Sequence, residues 1–337
     1  MRYYGGKSKL LDFIYDTAIN IQKNPVIFDM FAGTTTVSRH FKENGCKVYT
    51  NDILTFSFYR STSYIDLNTR PSFSAFKNDC FDPIKYLNNL ESKADFITRN
   101  YSPYKGNLRQ YVSVENAMKI DSSRIKIEEW FEKNLINFYE YAYLITCLIE
   151  SINLISNVTG TYAAYLKNWD SRALKKLKLN HLDIKNNNHV NFSFNEDSNN
   201  LSIPKDVDIC YLDPPYNGRQ YTSNYFFLEL IATGWFKNKV TPTGVTGIVK
   251  YDDKKSKYCS KVKARETLND LLEKIDSPYV MLSYNDEGIV SHDDIKSDMS
   301  KYGQVTKVTL DHKRYRAINQ DGSHSKTKES IFVLKRN

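Results

Sequence analysis

The sequence has few of the residues that build disulfide-rich or metal-binding folds. Its five cysteines are scattered and never form a Cys-x-x-Cys pair, and its six histidines show no spacing typical of metal ligands. These patterns support neither a disulfide framework nor a zinc centre. We therefore predict no metal ligand and expect a reducing compartment.

Long apolar runs are also missing. No stretch approaches the ~20 apolar residues of a membrane span, and the first residues, Met1 to Lys7, lack the apolar core of a signal peptide. No internal repeat is present. We expect a soluble, cytoplasmic protein with no membrane partner.

The composition that remains is that of a globular protein with a basic surface. Of 337 residues, 41% are hydrophobic and 26% are charged, and the formal net charge is +8. A positive balance favours a polyanionic partner such as nucleic acid, although a solvated lysine-rich surface stays open as the alternative. The 25 tyrosines suit packing, and they also suit stacking on bases.

Both ends of the chain alternate between strand and helix patterns. Helical spacing over 8–22 precedes an apolar strand at 26–31, and a helix over 35–44 leads to a strand at 47–50. Two strands joined by a crossover helix make the βαβ unit of a parallel sheet. Further strands are predicted at 190–195, 207–212 and 279–284, with an antiparallel pair at 305–310 and 331–334 closing the sheet.

The middle of the chain has a different, helical character. Apolar residues recur at helical spacing from Glu128 to Ile155. We predict a doubly wound α/β catalytic domain formed by 1–82 and 183–337, with an inserted helical subdomain at 83–182. Ligands of such sheets bind outside the carboxyl ends of the strands.

The most specific motif, Asp213-Pro214-Pro215-Tyr216, directly follows the strand at 207–212. An exocyclic amine of a base is a poor nucleophile, and the Asp213 carboxylate and the Pro214 carbonyl could each accept one of its hydrogens. The two prolines keep this backbone rigid, and Tyr216 offers a flat face for an unstacked base. An ordinary turn at a strand end is the alternative.

A second site is indicated by Phe31-Ala32-Gly33, which follows the first strand. The glycine permits close approach of a nucleotide-like ligand, and Asp52 lies where an acidic residue binds ribose hydroxyls. The loop continues as Thr34-Thr35-Thr36 and so lacks the later glycines of a GxGxxG pattern. A plain βαβ turn with a capping aspartate stays open.

Three other segments are weaker candidates. Near the N-terminus, Tyr3 could cover a ring and Lys7 could neutralise a carboxylate, or the segment could be a flexible basic end. Asp197 could accept a hydrogen bond from an adenine amine, or lie in a plain loop. Arg219 and Arg265 could hold phosphates, or belong to a solvated basic surface.

The chain resembles the D12 class of adenine-specific DNA methyltransferases. The resemblance is carried by four segments and their order: Tyr-Gly-Gly-Lys, Phe-Ala-Gly, Asn51-Asp52 and Asp-Pro-Pro-Tyr. This class is the Dam-like α group, which includes modification enzymes of type II restriction systems. The resemblance implies a seven-stranded sheet of the S-adenosylmethionine-dependent type, with a helical target-recognition region inserted after the second strand. It also implies cofactor contacts, which fall here on Tyr3, Lys7, Asp52, Asp197 and Asp213. Such enzymes often carry a second glycine soon after the first, and this chain does not.

The resulting hypothesis is methyl transfer from S-adenosylmethionine to adenine N6 in double-stranded DNA, which would protect that DNA from a separate restriction endonuclease. Methylation of RNA adenine or of cytosine N4 is the first alternative, because those enzymes share the sheet and use related tetrapeptides. The second alternative is a basic nucleic-acid-binding protein that has kept the fold without turnover. The intact tetrapeptide argues against this last reading.

Overall fold

The computed structural model describes residues 6–76, 81–236, 239–318 and 324–337, with side chains outside 311–328. The chain divides into two compact units. In the described part of the chain, the sheet unit comprises 7–53, 189–220 and 254–337, and the helical unit comprises 54–188 and 221–253. Within these described residues, no helix is both long enough and apolar enough to cross a membrane.

The sheet unit contains a seven-stranded sheet with the order β3-β2-β1-β4-β5-β7-β6. The first five strands pair in parallel, and β7 runs antiparallel between β5 and β6. The predicted doubly wound sheet closed by an antiparallel pair is thus confirmed. Its strands are β1 (Ile27–Asp29), β2 (Val48–Asn51), β3 (Phe192–Phe194), β4 (Ile209–Leu212), β5 (Tyr279–Asn285), β6 (Gly303–Ile318) and β7 (His324–Arg336).

Four helices belong to the described part of this unit. They are α1 (Leu11–Ile21), α2 (Thr36–Glu43), α10 (Ala264–Lys274) and α11 (His292–Met299). The central strands β1 and β4 are buried along their length because a sheet with parallel crossovers is covered on both faces. Cys210, for example, is fully buried in a cluster with Leu271 and Met299, which agrees with its interpretation as core.

The hairpin of β6 and β7 runs longer than predicted. Its outer part pairs through the backbone from Asp311 opposite Lys328 onwards, and the sequence there is largely polar. A search for buried apolar strands finds only the inner part, because backbone pairing leaves no apolar pattern in the sequence.

Parallel pairing brings the carboxyl ends of β1, β2, β3 and β4 to one edge of the sheet. Asn51, the last residue of β2, connects three of these ends. Its side-chain amide donates to the carbonyls of Met30 (3.4 Å) and Glu196 (3.0 Å) and to the Ser198 hydroxyl (3.1 Å). The edge on which the predicted site residues lie is therefore fixed by buried hydrogen bonds.

The helical unit is larger than the predicted insertion at 83–182. It begins at Leu54 and also takes in 221–253, which follow the Asp-Pro-Pro-Tyr segment in the chain. The described helices of this unit are α3 (Thr55–Ser61), α4 (Pro83–Asn89), α5 (Phe96–Tyr101), α6 (Val114–Glu132), α7 (Phe138–Ile155), α8 (Tyr221–Asn224) and α9 (Phe226–Thr233).

A buried carboxylate explains why these distant segments join one unit. Glu229 of α9 has no exposed surface and accepts hydrogen bonds from the backbone N–H groups of Thr55 (3.0 Å) and Phe56 (3.1 Å). These are orphan donors of the first turn of α3, whose own preceding residue, Leu54, has no side-chain acceptor. The capping group of α3 thus comes from a helix far along the sequence.

Replacing this cap should destabilise the helical unit. We expect Glu229→Ala to lower the free energy of unfolding by about 2–3 kcal/mol, because two buried donors lose their acceptor. Glu91→Ala, at an exposed ion pair with Lys93, is the matched control and should change it by less than about 0.5 kcal/mol. Urea denaturation followed by circular dichroism measures both, and equal effects would refute the capping role.

Candidate active site

The loop after β1 has an unusual backbone. Gly33 adopts φ 51° and Thr35 adopts φ 60°, both in the left-handed region. The Gly33 N–H donates to a carboxylate oxygen of Asp52 at 2.8 Å. Ala32 and Gly33 are buried, and Asp52 is half-buried. The structure therefore brings together the predicted glycine turn and the predicted acidic residue.

Asp197 lies beyond β3 in a short turn, where its carboxylate accepts the Asn199 N–H at 3.0 Å. Burial raises the pKa of the Tyr258 hydroxyl well above its usual value, and the nearby charge of Asp197 raises it further. The same tyrosine packs edge-on against Phe31, with ring centroids 5.2 Å apart. Phe31 and Asp197 are thus linked through a residue that the motif search missed.

A buried ion cluster occupies the carboxyl end of β4. The Lys7 ammonium lies 3.0 Å from a carboxylate oxygen of Asp213 and 2.7 Å from one of Glu329. Lys7 and Glu329 are each only 5% exposed, and the Asp213 side chain is 17% exposed. Ser283 of β5 also donates to Glu329, at 2.8 Å. Within the described residues, one ammonium group thus faces two carboxylates.

The ionisation of this cluster follows from burial and mutual charge. Burial opposes the charged form of Lys7, yet Asp213 and Glu329 together raise its pKa well above the usual value. Burial raises the pKa of Asp213 to about 6, against the opposing effect of Lys7. Burial also acts to raise the pKa of Glu329, but the Lys7 charge and the hydrogen bonds from Lys7, Ser283 and Asn285 together outweigh it, and the pKa is lowered. At neutral pH, therefore, all three groups are charged in most molecules.

The residues after Asp213 are held in place from two sides. Pro214 is buried and Pro215 is half-buried. The Tyr216 carbonyl accepts the Ile289 N–H at 2.9 Å, and its ring packs against Tyr284 with centroids 6.0 Å apart. The Lys7 ammonium lies 5.6 Å from the centre of the Tyr216 ring.

The following loop is fastened to the segment that carries Tyr258. The Gln220 side chain exchanges two hydrogen bonds with the backbone of Ser256, both at 2.9 Å. Arg219 is exposed, and its role in phosphate binding stays a prediction. Arg265 pairs with Asp294 (2.6 Å) and Asp298 (2.7 Å), and its side chain is half-exposed, so its proposed phosphate contact also stays a prediction.

Two outcomes complete the comparison with the predicted site. Tyr3 lies outside the described residues. The motifs of the sequence do not indicate Glu329, the second carboxylate that contacts Lys7, because it follows no strand end in the parallel part of the sheet. It stands on β7 opposite Asn285, the last residue of β5, and only the antiparallel register brings it to this edge.

Asp29 adds a further buried carboxyl group at the end of β1. It is 2% exposed, and burial raises its pKa to about 7, although the Ser38 hydroxyl donates to it at 2.5 Å. The charges of Asp213 and Asp52 make smaller contributions that also raise this pKa. The carboxyl ends of the strands thus concentrate negative charge.

The raised pKa of Asp29 has a consequence for stability. Because the folded pKa exceeds the unfolded one, Asp29 costs stability as the pH rises from about 4 to about 7. Asp29→Asn cannot ionise, so we expect its stability relative to the native protein to improve by roughly 1–3 kcal/mol between pH 4.5 and pH 8. Urea unfolding at both pH values measures this, and a constant difference would contradict the assignment.

Several known proteins are similar to this chain in sequence. The chain is 40% identical over its whole length to the Type II methyltransferase M.FokI of Planomicrobium okeanokoites, of which it covers 53%. It is 39% identical over 99% of its length to the modification methylase StsI of Streptococcus sanguinis, of which it covers 51%. The chain therefore spans about half the length of these two relatives.

A relative of similar size is the Type II methyltransferase M.NlaIII of Neisseria lactamica, with 33% identity over 99% of this chain and 98% of that protein. A solved structure of magnesium protoporphyrin IX methyltransferase from Synechocystis is also matched, with 9% identity, a TM-score of 0.34 and coverage of 97% of this chain and 79% of that one. The family model for the D12 class N6 adenine-specific DNA methyltransferases matches residues 3–297. The chain belongs to this D12 class.

Proposed function

We propose that this protein transfers a methyl group from S-adenosylmethionine to the N6 amine of adenine in double-stranded DNA. The observation that carries the proposal is the position of Asp213. Asp213 directly follows a buried parallel strand, and its carboxylate lies 3.0 Å from the Lys7 ammonium. Two prolines and a tyrosine come next in the sequence. Membership of the D12 class supports adenine N6 as the acceptor.

The chemistry asked of these residues is activation of a weak nucleophile. The adenine amine donates one hydrogen to Asp213 and the other to the Pro214 carbonyl, which localises the lone pair on nitrogen. Tyr216 stacks on the base after it leaves the duplex. The nitrogen would form its bond to the methyl carbon while the carbon–sulfur bond of the donor breaks and the sulfur leaves as a neutral thioether. The proton that the nitrogen then loses would pass to Asp213 and from there to solvent. A carboxylate whose pKa is about 6 suits this transient acceptance at neutral pH.

The residues at the sheet edge fit the proposed methyl donor. Asp52, already oriented by the Gly33 N–H, would bind ribose hydroxyls, while Phe31 and Asp197 would hold the adenine ring and its amine. Lys7 would pair with the donor carboxylate. When bound, the donor supplies an electrophilic methyl group on a sulfonium centre, and the excess of buried carboxylates here suits its positive charge.

The further partners follow from the family and the relatives. We propose that the helical unit, 54–188 and 221–253, contains the target-recognition region, and that exposed cations such as Arg219 contact phosphates. The names of the relatives, Type II methyltransferase and modification methylase, suggest that the methylation protects DNA from a separate restriction endonuclease. The proposed activity is therefore site-specific adenine methylation.

Product analysis tests the activity directly. With labelled S-adenosylmethionine and unmodified duplex DNA, we expect digestion to return N6-methyladenine. Label found only in RNA, or recovered as N4-methylcytosine, would replace the proposal with the alternative acceptor. No transfer to any nucleic acid would leave a binding protein that keeps the fold.

Substitution of the acceptor tests the mechanism. We expect Asp213→Ala to lower kcat by a factor of about 10² or more while DNA affinity stays within about threefold, because Asp213 acts on the reacting amine. Asp276→Asn, at an exposed carboxylate of the same unit, is the control and should keep native turnover. Single-turnover methylation and a DNA-binding assay make the comparison. Near-native turnover of Asp213→Ala would remove this residue from the mechanism.

A further inference from the structure

Glu329 is the one member of the buried ion cluster for which the proposed reaction gives no role. It neither follows the Asp-Pro-Pro-Tyr strand nor belongs to the predicted donor contacts. Its carboxylate nevertheless lies 2.7 Å from the Lys7 ammonium and accepts a hydrogen bond from Ser283 at 2.8 Å. A carboxylate that is only 5% exposed is costly to bury, and a cluster of Lys7 and Asp213 alone would already be neutral.

The effect of Glu329 on local charge is simple. Lys7 neutralises Asp213, and the second carboxylate leaves the cluster with one negative charge at neutral pH. Asp29, whose charge interacts with that of Asp213, adds to this when it ionises. Because Lys7 and Glu329 are buried, salt screens this field less than it would screen a surface charge.

The proposed donor and its product differ in one charge. S-adenosylmethionine carries a sulfonium and an ammonium group against a single carboxylate, so its net charge is positive. S-adenosylhomocysteine has lost the sulfonium charge and is a neutral zwitterion. Apart from the transferred methyl group their other groups are the same, so the charge of a negative pocket favours the donor over the product through the sulfonium.

We propose that Glu329 is a specificity-determining residue that makes the donor pocket negatively charged and so favours S-adenosylmethionine over S-adenosylhomocysteine. This inference rests on the proposed function, because it takes the ion cluster to lie in the donor pocket. Glu329 acts at a distance, through charge, and is not a catalytic residue. With Glu329 present, Lys7 can bind the donor carboxylate while the pocket keeps a negative charge that attracts the sulfonium.

The test is calorimetric binding of both ligands to the whole chain. The ratio of the two Kd values, product over donor, should fall by about three- to tenfold in Glu329→Gln, which is nearly isosteric. Glu273→Gln removes the same charge from an exposed position on α10 and should leave the ratio unchanged. Losses of contacts common to both ligands cancel in the ratio, so a merely structural role would not change it.

Two further variants keep the test decisive if Glu329→Gln folds poorly. Glu329→Asp keeps the charge and should hold the ratio within about twofold of the native value, whereas a merely structural effect would lower it as Glu329→Gln does. The Lys7→Gln and Glu329→Gln double variant removes both partners of one ion pair. It has the same net charge as the native cluster, so its ratio should also stay within about twofold of the native value. A native ratio in Glu329→Gln, or a fall of the same size in Glu329→Asp or in the double variant, would overturn the inference. Failure of the native protein to bind S-adenosylmethionine would instead refute the proposed function.

Discussion

The arrangement of the candidate site depends on one interaction, the burial of the Lys7 ammonium between the carboxylates of Asp213 and Glu329. It joins three parts of the chain that are far apart in sequence: the segment before α1, the end of β4 and the last strand. A buried charge without a partner is strongly destabilising, so each member requires the others to be in place. The site can therefore form only when the sheet has closed through β7.

Parallel topology explains why so many acids share this small region. Each of β1, β2 and β4 presents its last residues at the same edge, and Asp29, Asp52 and Asp213 all follow from that rule. Burial, with a smaller effect of the Asp213 and Asp52 charges, raises the pKa of Asp29 to about 7. Burial, with a smaller effect of the Glu329 charge, raises that of Asp213 to about 6 against the opposing effect of Lys7. The cost of placing negative charges close together is lower where a cationic ligand binds beside them. Carboxyl groups with shifted pKa values are typical of functional sites.

Much of this arrangement could be predicted from the sequence, because its signals are local. The apolar strand before Asp213 and the glycine turn before Asp52 each place their residues by one rule about strand ends. Glu229 and Glu329 carry no such signal. Glu229 caps α3 from a segment about 170 residues away, and Glu329 reaches the site only through the antiparallel register opposite Asn285. Contacts between distant parts of the chain fix the positions of both residues. For the same reason the sequence pattern underestimates the extent of the helical unit.

The left-handed backbone of Thr35 bears on the missing second glycine. In the sequence Gly33-Thr34-Thr35 the expected second glycine would stand at 35, and there the structure has a fully buried threonine with φ 60°. A β-branched residue pays for this conformation in strain, which its neighbours must hold. The loop thus adopts at Thr35 a conformation for which glycine is the usual residue, without having the glycine. Searches for such loops by glycine spacing alone will overlook members of this kind, whereas the backbone conformation identifies them.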